Sequence, residues 1–441
     1  MKIIIAGAGK VGFELARALS AGHNVTVVDK NAEALERLQE LIDILPVVGD
    51  IENPATYRGF ADTRADIFIA VTDSDEANLL STLIANDVID VERKLIRLKN
   101  SYFAKSGIIE TLGITESVFP FALSAETIRL LLQYPEANNV KKIPETKVKL
   151  ISIRADNPRY EEEPLALFEN EKVMIVGIER KKHFFVPDGT ESIKHGDLLY
   201  FLGEGDVVEK FYSRLDLKMP LRVSNAVVFG AKQLGLAIAN VLIDEGVTVK
   251  VVEKDLELCK RASEVLQEKA LVINSHYDEA ILYEEERLAK ADMVITTGSQ
   301  DEENIVRSLQ AMEQGIPKVV AINNEHKYYD LIHKLDIIAA RGPATSAYYA
   351  LLEKVSSKSV ITERHYCGGR GIILSRKIFV NSPLIGKKVK AFSAGEGMII
   401  HERDGVFLPD VPDIVLLEGD MVFLFVHATL ESEGKEWISS L

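Results

Sequence analysis

The chain has 441 residues, 47% hydrophobic and 27% charged, a composition that supports several packed domains and excludes a disordered protein. A formal charge of −15 repels nucleic acid and anionic lipid headgroups, so no nucleic-acid partner is expected, and membrane contact only through another protein. Cys259 and Cys367 make neither a disulfide framework nor a zinc-ligand set, which fits a reducing cytoplasm, and no apolar run reaches the ~18 residues of a membrane span.

In chain order, the first element is a short apolar strand, Lys2 to Ala6, running into GAGKVG and an amphipathic helix, with a second apolar strand ending at Asp29. The fingerprint glycines are Gly7, Gly9 and Gly12. A lone G-x-G-x-x-G is weak evidence, but strand, helix and an acid about twenty residues on complete a dinucleotide-binding unit. Gly7 permits the tight turn, Gly9 lets a pyrophosphate approach backbone amides at the helix start, and Gly12 lets helix and sheet pack closely. Asp29 suits ribose hydroxyls and repels a 2′-phosphate, favouring NAD(H) over NADP(H), with Lys30 slightly weakening that exclusion.

Short β-branched runs then alternate with helical stretches, the pattern of βαβ units around a buried parallel sheet expected to run to near residue 120. Three later elements complete a crevice: Gly49-Asp50 ends the third strand on the adenine side, Thr72-Asp73 the fourth at the phosphate lip, and Arg97 the fifth, aimed at the pyrophosphate. Each also reads as an ordinary cap or turn residue. In the helix FPFALSAETIRLLLQ, Leu123, Ile128, Leu131 and Leu132 exceed one intramolecular face, which points to packing on another subunit, with a plain buried helix as the alternative.

Past a linker at Pro135 to Pro144, Lys147 to Leu202 pairs strands around a charged hairpin and ends in a Gly196-Asp197 turn before an apolar strand. After a second linker at Lys218 to Pro220, the opening segment returns about 225 residues later as NAVVFGAKQLGLAIANVLIDEGVTVKVVEK, with ADIFIAVTDSDEAN answered by ADMVITTGSQDEEN. This second sheet is expected to end near residue 340. Its fingerprint reads Gly230, Lys232, Gly235: a lysine replaces the second glycine, Glu253 keeps the ribose carboxylate, and Asn274-Ser275 replaces Gly-Asp. Weaker binding, or binding of a mononucleotide, is expected there. Beyond a Lys- and Ser-rich stretch, Glu353 to Ser359, the segment Ile372 to Val426 repeats the hairpin and the Gly-Asp turn at Gly419-Asp420.

The fold class is therefore α/β, with two tandem Rossmann-type parallel-sheet domains (1–134 and 221–356), each followed by a small α+β domain (141–217 and 370–441). The order of domains and the strings GAGKVG, VVGD, AVTDSDEANLL and VPDGTESIKHGDLLYFLG resemble the TrkA family, peripheral regulators of Trk potassium uptake built of two RCK (regulator of K⁺ conductance) domains. The resemblance implies NAD(H), and ATP or ADP, bound by the Rossmann halves. It implies ligation by Gly7, Ala8, Gly9, Lys10, Val11, Gly12, Asp29, Thr72, Asp73 and Arg97, and at the second site by Lys232, Gln233, Leu234 and Glu253. It also implies a ring, a homotetramer or dimer of dimers, on the inner face of the membrane against a TrkH- or TrkG-like channel subunit. A ligand favouring one angle between neighbouring lobes would then pull on the channel. The family often carries Arg-x-Arg at the fifth strand, where this chain has Arg97-Leu98-Lys99.

Two other readings remain open at this point. An NAD-dependent dehydrogenase needs an acid or base facing the nicotinamide; His183, His195 and His401 fall in hairpins or turns expected to be exposed, and His326 and His333 read as a solvated helix face, so no catalytic residue and no enzyme is expected. A structural adaptor with vestigial sites is the other. The acid runs Glu161 to Glu163 and Glu284 to Glu286 read as solvated faces, and no metal site is expected.

Overall fold

The computed structural model describes residues 1–20, 22–60, 64–135, 137–143, 146, 148–215, 222–275, 282–356, 361–378, 382–393, 396–409 and 414–441. The linker expected at Lys218 to Pro220 lies outside them, as do residues 357–359 of the third. The chain divides into two compact units, Met1–Ser124 with Arg341–Lys358, and Ala125–Ala340 with Ser359–Leu441.

The first unit is a six-stranded sheet of β1 (Lys2–Ala6), β2 (Asn24–Asp29), β3 (Leu45–Val48), β4 (Arg64–Ala70), β5 (Asp90–Arg97) and β6 (Glu116–Val118). Their order is β3-β2-β1-β4-β5-β6, and all pairs are parallel. Strand β1 is apolar from Ile3 to Ala6 because both of its faces are covered: Ile3 and Ile5 join one core, Ile4 and Ala6 the other, with the two-residue period of a strand. The helix Lys10–Ser20 covers the first face through Val11, Leu15 and Leu19. Beside it lies a helix from far along the chain, Pro343–Ser356, which inserts Ala347, Leu351 and Val355 into the same core. Its C-terminus is held by Arg93 of β5, whose guanidinium donates to the carbonyls of Lys354 at 2.6 Å and Val355 at 3.3 Å. A buried cation is tolerated there because the last carbonyls of a helix carry partial negative charge.

The second unit repeats the design with β12 (Asn225–Phe229), β13 (Thr248–Glu253), β14 (Ala270–Asn274), β15 (Met293–Thr296), β16 (Lys318–Asn323) and β17 (Ile338–Arg341), in the order β14-β13-β12-β15-β16-β17. Lys318, buried at the start of β16 as Arg93 is within β5, donates to the carbonyls of Leu131 and Pro135, at 3.2 and 2.8 Å, at the end of the helix Pro120–Gln133. Each sheet thus takes the crossover helix that follows the other. This corrects the expectation for Ile128 and Leu131: they are buried within the chain and need no other subunit, whereas Leu123 is exposed.

The same unit carries two antiparallel five-stranded sheets. The first comprises β7 (Asn139–Lys142), β8 (Val148–Arg154), β9 (Val173–Arg180), β10 (His183–Phe185) and β11 (Leu198–Glu204), ordered β10-β9-β11-β8-β7. The second comprises β18 (Ile361–Tyr366), β19 (Gly371–Lys377), β20 (Gly397–Arg403), β21 (Val406–Pro409) and β22 (Met421–His427), ordered β18-β19-β22-β20-β21, the same topology. Part of the segment read as the first linker is strand β7. Leu198, Tyr200 and Leu202 of β11 share a core with Phe423 and Phe425 of β22, while Leu199 and Phe201 face the helix Gly205–Leu215, so each central strand is apolar on both faces. The repeated Gly-Asp turns have a common purpose: Asp197 takes Arg180 in two bonds of 2.9 and 2.8 Å, and Asp420 takes Arg403 in two bonds of 2.8 Å.

Two histidines depart from expectation. His401 is buried on β20 with Nε2 2.7 Å from Asp420. His333, on the helix Tyr329–Lys334, sets Nε2 3.0 Å from buried Glu179, which also receives Cys367 Sγ at 3.1 Å and lies 3.2 Å from Arg370. The side chain of His326 lies outside the described residues. A carboxylate sunk in a core needs such partners, which explains both pairings. Burial pushes the Glu179 carboxyl up, but His333, Cys367 and Arg370 outweigh it and bring it down to about 2. A folded value depressed below the ordinary 4.5 contributes stability that is present above that value and lost as pH falls towards about 2. In urea melts, Glu179→Gln is expected to be less stable than the parent at pH 7, with the gap narrowing as pH falls from 4.5 towards about 2; a gap independent of pH would contradict the assignment.

Candidate functional site

At the carboxyl end of the first sheet, the turn after β1 shows which glycines the fold itself requires. Gly7 has φ +113°, and a Cβ there would sit 3.0 Å from Thr72 Cγ2. A Cβ on Gly12 would lie 1.8 Å from the Gly7 carbonyl oxygen, so Gly12 lets the helix Lys10–Ser20 seat on the turn. Gly9 is different: its φ is ordinary for an L residue, and a Cβ there meets nothing within 4 Å. The first intrahelical bond runs from Phe13 N to Gly9 O, so the amides at the helix start face outward without a carbonyl of their own helix. Bare backbone, open space and a helix N-terminus fit a phosphate group.

Asp29 closes one side, accepting from Ala8 N at 2.6 Å and Asn31 N at 2.8 Å, which holds its carboxylate against the turn. Val11 and Ala8 are buried under the turn, while Lys10 is exposed. On the other side Asn78, fully buried, pins two strand ends: it accepts from Thr72 N at 2.8 Å and Thr72 Oγ1 at 2.7 Å, and donates to the carbonyls of Thr72 at 3.0 Å and Arg97 at 2.9 Å. Arg97, 7% exposed, donates to Asp73 Oδ1 at 2.9 Å and to the Thr72 carbonyl at 3.3 Å, and its Nε is buried without a partner. Partial desolvation raises the Asp73 carboxyl, but Arg97 and Lys99 outweigh it and leave it below its ordinary value. The structure therefore brings Asp29, Thr72, Asp73 and Arg97 around the Gly9 turn. Gly49-Asp50 stands at the end of β3, where a Gly49 Cβ would meet Thr56 at 2.6 Å and Asp50 Oδ1 accepts from Glu52 N at 3.0 Å, so both also serve the local turn.

The second lobe keeps what the fold needs and changes the rest. Gly230 has φ +110°, and a Cβ on Gly235 would lie 1.9 Å from the Gly230 carbonyl oxygen. Lys232 takes the place of Gly9 at the helix Gln233–Asp244, with Leu234 buried behind it, and Glu253 accepts from Ala231 N at 2.8 Å as Asp29 does from Ala8 N. Asn304 repeats Asn78, accepting from Gly298 N at 2.7 Å and donating to the carbonyls of Gly298 at 3.0 Å and Ile322 at 2.9 Å. Gly298 thus stands at the Thr72 position and Ile322 at that of Arg97. Extending the internal repeat through the fifth strand would have revealed that loss of a cation in the sequence.

A duplicated Rossmann lobe with a bare phosphate turn, accompanied by two antiparallel sheets of one topology, defines a tandem RCK architecture. The TrkA-N domain description matches residues 3–120 and 226–341, and the TrkA-C domain description residues 155–216. The chain belongs to the TrkA family. It is 28% identical over 404 residues, 91% of each chain, to a protein of Archaeoglobus fulgidus named Trk system potassium uptake protein TrkA homolog. It is 27% identical over 448 residues, 97% of this chain and 96% of the relative, to the Trk system potassium uptake protein TrkA of Halomonas elongata. Among solved structures, the GsuK RCK domain matches 100% of this chain and 95% of its own with TM-score 0.61 at 15% identity. The GsuK channel bound to NAD matches with TM-score 0.62 at 15% identity, covering 79% of its own chain. Both show the shared fold.

The glycine geometry separates two effects in the protein without nucleotide. Gly12→Ala is expected to cost about 2 kcal/mol or more through overpacking, whereas Gly9→Ala stays within about 0.5 kcal/mol of the parent. Urea midpoints measure both, and a large loss at Gly9 would mean that the fold requires that glycine too.

Proposed function

We propose that this chain is a nucleotide-sensing regulatory subunit of a Trk-type potassium uptake system, acting on a TrkH- or TrkG-like channel subunit as ligand occupancy rearranges a ring of RCK lobes. The carrying observation is Gly9, a fingerprint glycine that the fold does not require and that leaves open space before outward-facing amides. In this reading the Gly7–Gly12 turn holds the diphosphate of NAD(H), or the phosphates of ATP or ADP, at the amides of Lys10 and Val11, while the amide of Ala8 holds Asp29 in place. Asp29 takes the ribose hydroxyls, Gly49-Asp50 flank the adenine end, and Thr72, Asp73 and Arg97 form the phosphate lip. The ligand supplies binding energy and negative charge; the protein's part is to answer with a change in shape, since an equilibrium moves only by the difference in ligand affinity between two states.

Three features support regulation over hydride transfer. The names of the TrkA relatives point to potassium uptake. His333 and His401 are committed to Glu179 and Asp420. Leu80 and Leu83 stand exposed on the helix Asp75–Val88, an apolar face suited to a second copy in a ring, a homotetramer or dimer of dimers. No helix among the described residues is long and apolar enough to cross a membrane, which suits a subunit held on the inner face of the cell membrane by its partner.

Calorimetry with NADH, ADP and ATP tests the binding step. Gly9→Glu is expected to weaken NADH binding about 100-fold, roughly 2.7 kcal/mol, because its carboxylate enters the space that the phosphates need and repels them. Potassium flux into liposomes holding the channel subunit, with and without NADH, tests regulation. Flux indifferent to nucleotide, or substrate-dependent consumption of NADH, overturns the reading.

A further inference from the structure

In the second lobe, the helix Asp301–Glu313 begins with Asp301, Glu302 and Glu303, where the helix Asp75–Val88 of the first begins with Asp75, Glu76 and Ala77. Equivalence rests on geometry as well as sequence. Asp75 accepts from Lys99 N and Asn100 N, Asp301 from Asn324 N and Glu325 N, and the asparagine three residues on makes the same bonds in both lobes. Glu303 therefore replaces buried Ala77.

Its carboxylate reaches into the crevice. A Cβ added at Gly298, the place of Thr72, would lie 3.7 Å from Glu303 Oε2. Arg307 holds Glu303 Oε1 at 2.6 Å, and Lys254, the residue after Glu253, lies 3.6 Å from the same oxygen. Strand β12 lies between β13 and β15 in the sheet. A link from Lys254, past the end of β13, to Glu303, past the end of β15, therefore passes over the Gly230–Lys232 turn. Desolvation raises the Glu303 carboxyl, but Arg307 and Lys254 outweigh it, so the group carries its charge.

We infer that the second lobe supplies its own anion: Glu303, strapped by Lys254 and Arg307, occupies the phosphate lip and shuts this crevice to nucleotides. This rests on the reading of the first lobe as a nucleotide site, and it replaces the expectation of weak binding through Lys232, Gln233, Leu234 and Glu253. A phosphate entering here meets a carboxylate, and it finds Ile322 in place of the cation Arg97. Like charges placed together reject a ligand as effectively as missing contacts do. Removing the charge of Glu303 deletes that repulsion. The rival account, a plain surface ion pair between residues four apart on a helix, leaves nucleotide binding unchanged when Glu303 is altered.

The test is ADP and NADH titration of the full chain by calorimetry in four proteins: the parent, Glu303→Gln, Gly9→Glu, and Gly9→Glu with Glu303→Gln. Glu303→Gln keeps the side chain's size, and circular dichroism checks its folding. The parent is expected to bind one ADP per chain, Glu303→Gln a second, Gly9→Glu none, and the double variant one, with affinity at least about tenfold above the Gly9→Glu background. The inference is overturned if Gly9→Glu alone still binds ADP at a site lost on Glu253→Ala, or if folded double variant binds none. A parent that binds nothing while Glu303→Gln binds one per chain upholds the inference and overturns the first-lobe reading instead.

Discussion

Each parallel sheet buries a cation against the end of a helix that belongs, in chain order, to the other half. Arg93 grips the final carbonyls of Pro343–Ser356, and Lys318 those of Pro120–Gln133. A guanidinium or ammonium removed from water costs several kcal/mol unless it is paired, and the partial negative charge of a helix C-terminus offsets that cost only when the helix sits in the right register. The exchange of helices is therefore specified at two points, and the core of each lobe is complete only when both halves have folded. Ala347, Leu351 and Val355, more than two hundred residues from the strands they cover, are as much part of the first lobe's core as Ile3 and Ile5.

Two copies of one lobe in a single chain act as an internal control. Gly7 and Gly12, Asp75 and Asn78 recur as Gly230 and Gly235, Asp301 and Asn304, and each makes the same turn, close approach or bond in both places. What differs is Gly9 against Lys232, Thr72 against Gly298, and Arg97 against Ile322. The retained set is what the backbone needs in order to close; within the altered set, Gly9 fronts open space. A residue kept under the same geometry informs on folding, and a residue free to change at that geometry informs on the ligand.

The same distinction explains what was legible in the sequence. The Rossmann halves were, because GAGKVG and its altered repeat sit at strand-to-helix turns whose steric demands are local. The Gly-Asp turns were too, although their reason, Asp197 gripping Arg180 and Asp420 gripping Arg403, lies between strands. The exchange of crossover helices was not: a helix with surplus apolar residues states that it has a partner without stating which. His401 and His333 were misplaced for a related reason. Each looks like a solvated polar residue until a carboxylate remote in sequence, Asp420 or Glu179, is folded against it. Strands β7 and β18 were missed because an edge strand of few residues carries little periodicity.

Strand β5 brings the two themes together. Arg93, Leu95 and Arg97 point to one face of the sheet by the two-residue period, with Leu95 in the core that the helix Pro343–Ser356 completes. One end of that face latches a helix and the other ends beside Thr72 and Asp73. In β16 the latch is kept as Lys318 while Ile322 takes the place of Arg97, so the two positions of the strand separate: a cation against a helix end stands in both lobes, whereas a cation at the strand's far end stands in one. That the chain retains the first in both lobes and the second in one makes its two halves alike in how they close and unlike in the charge they carry at the strand ends.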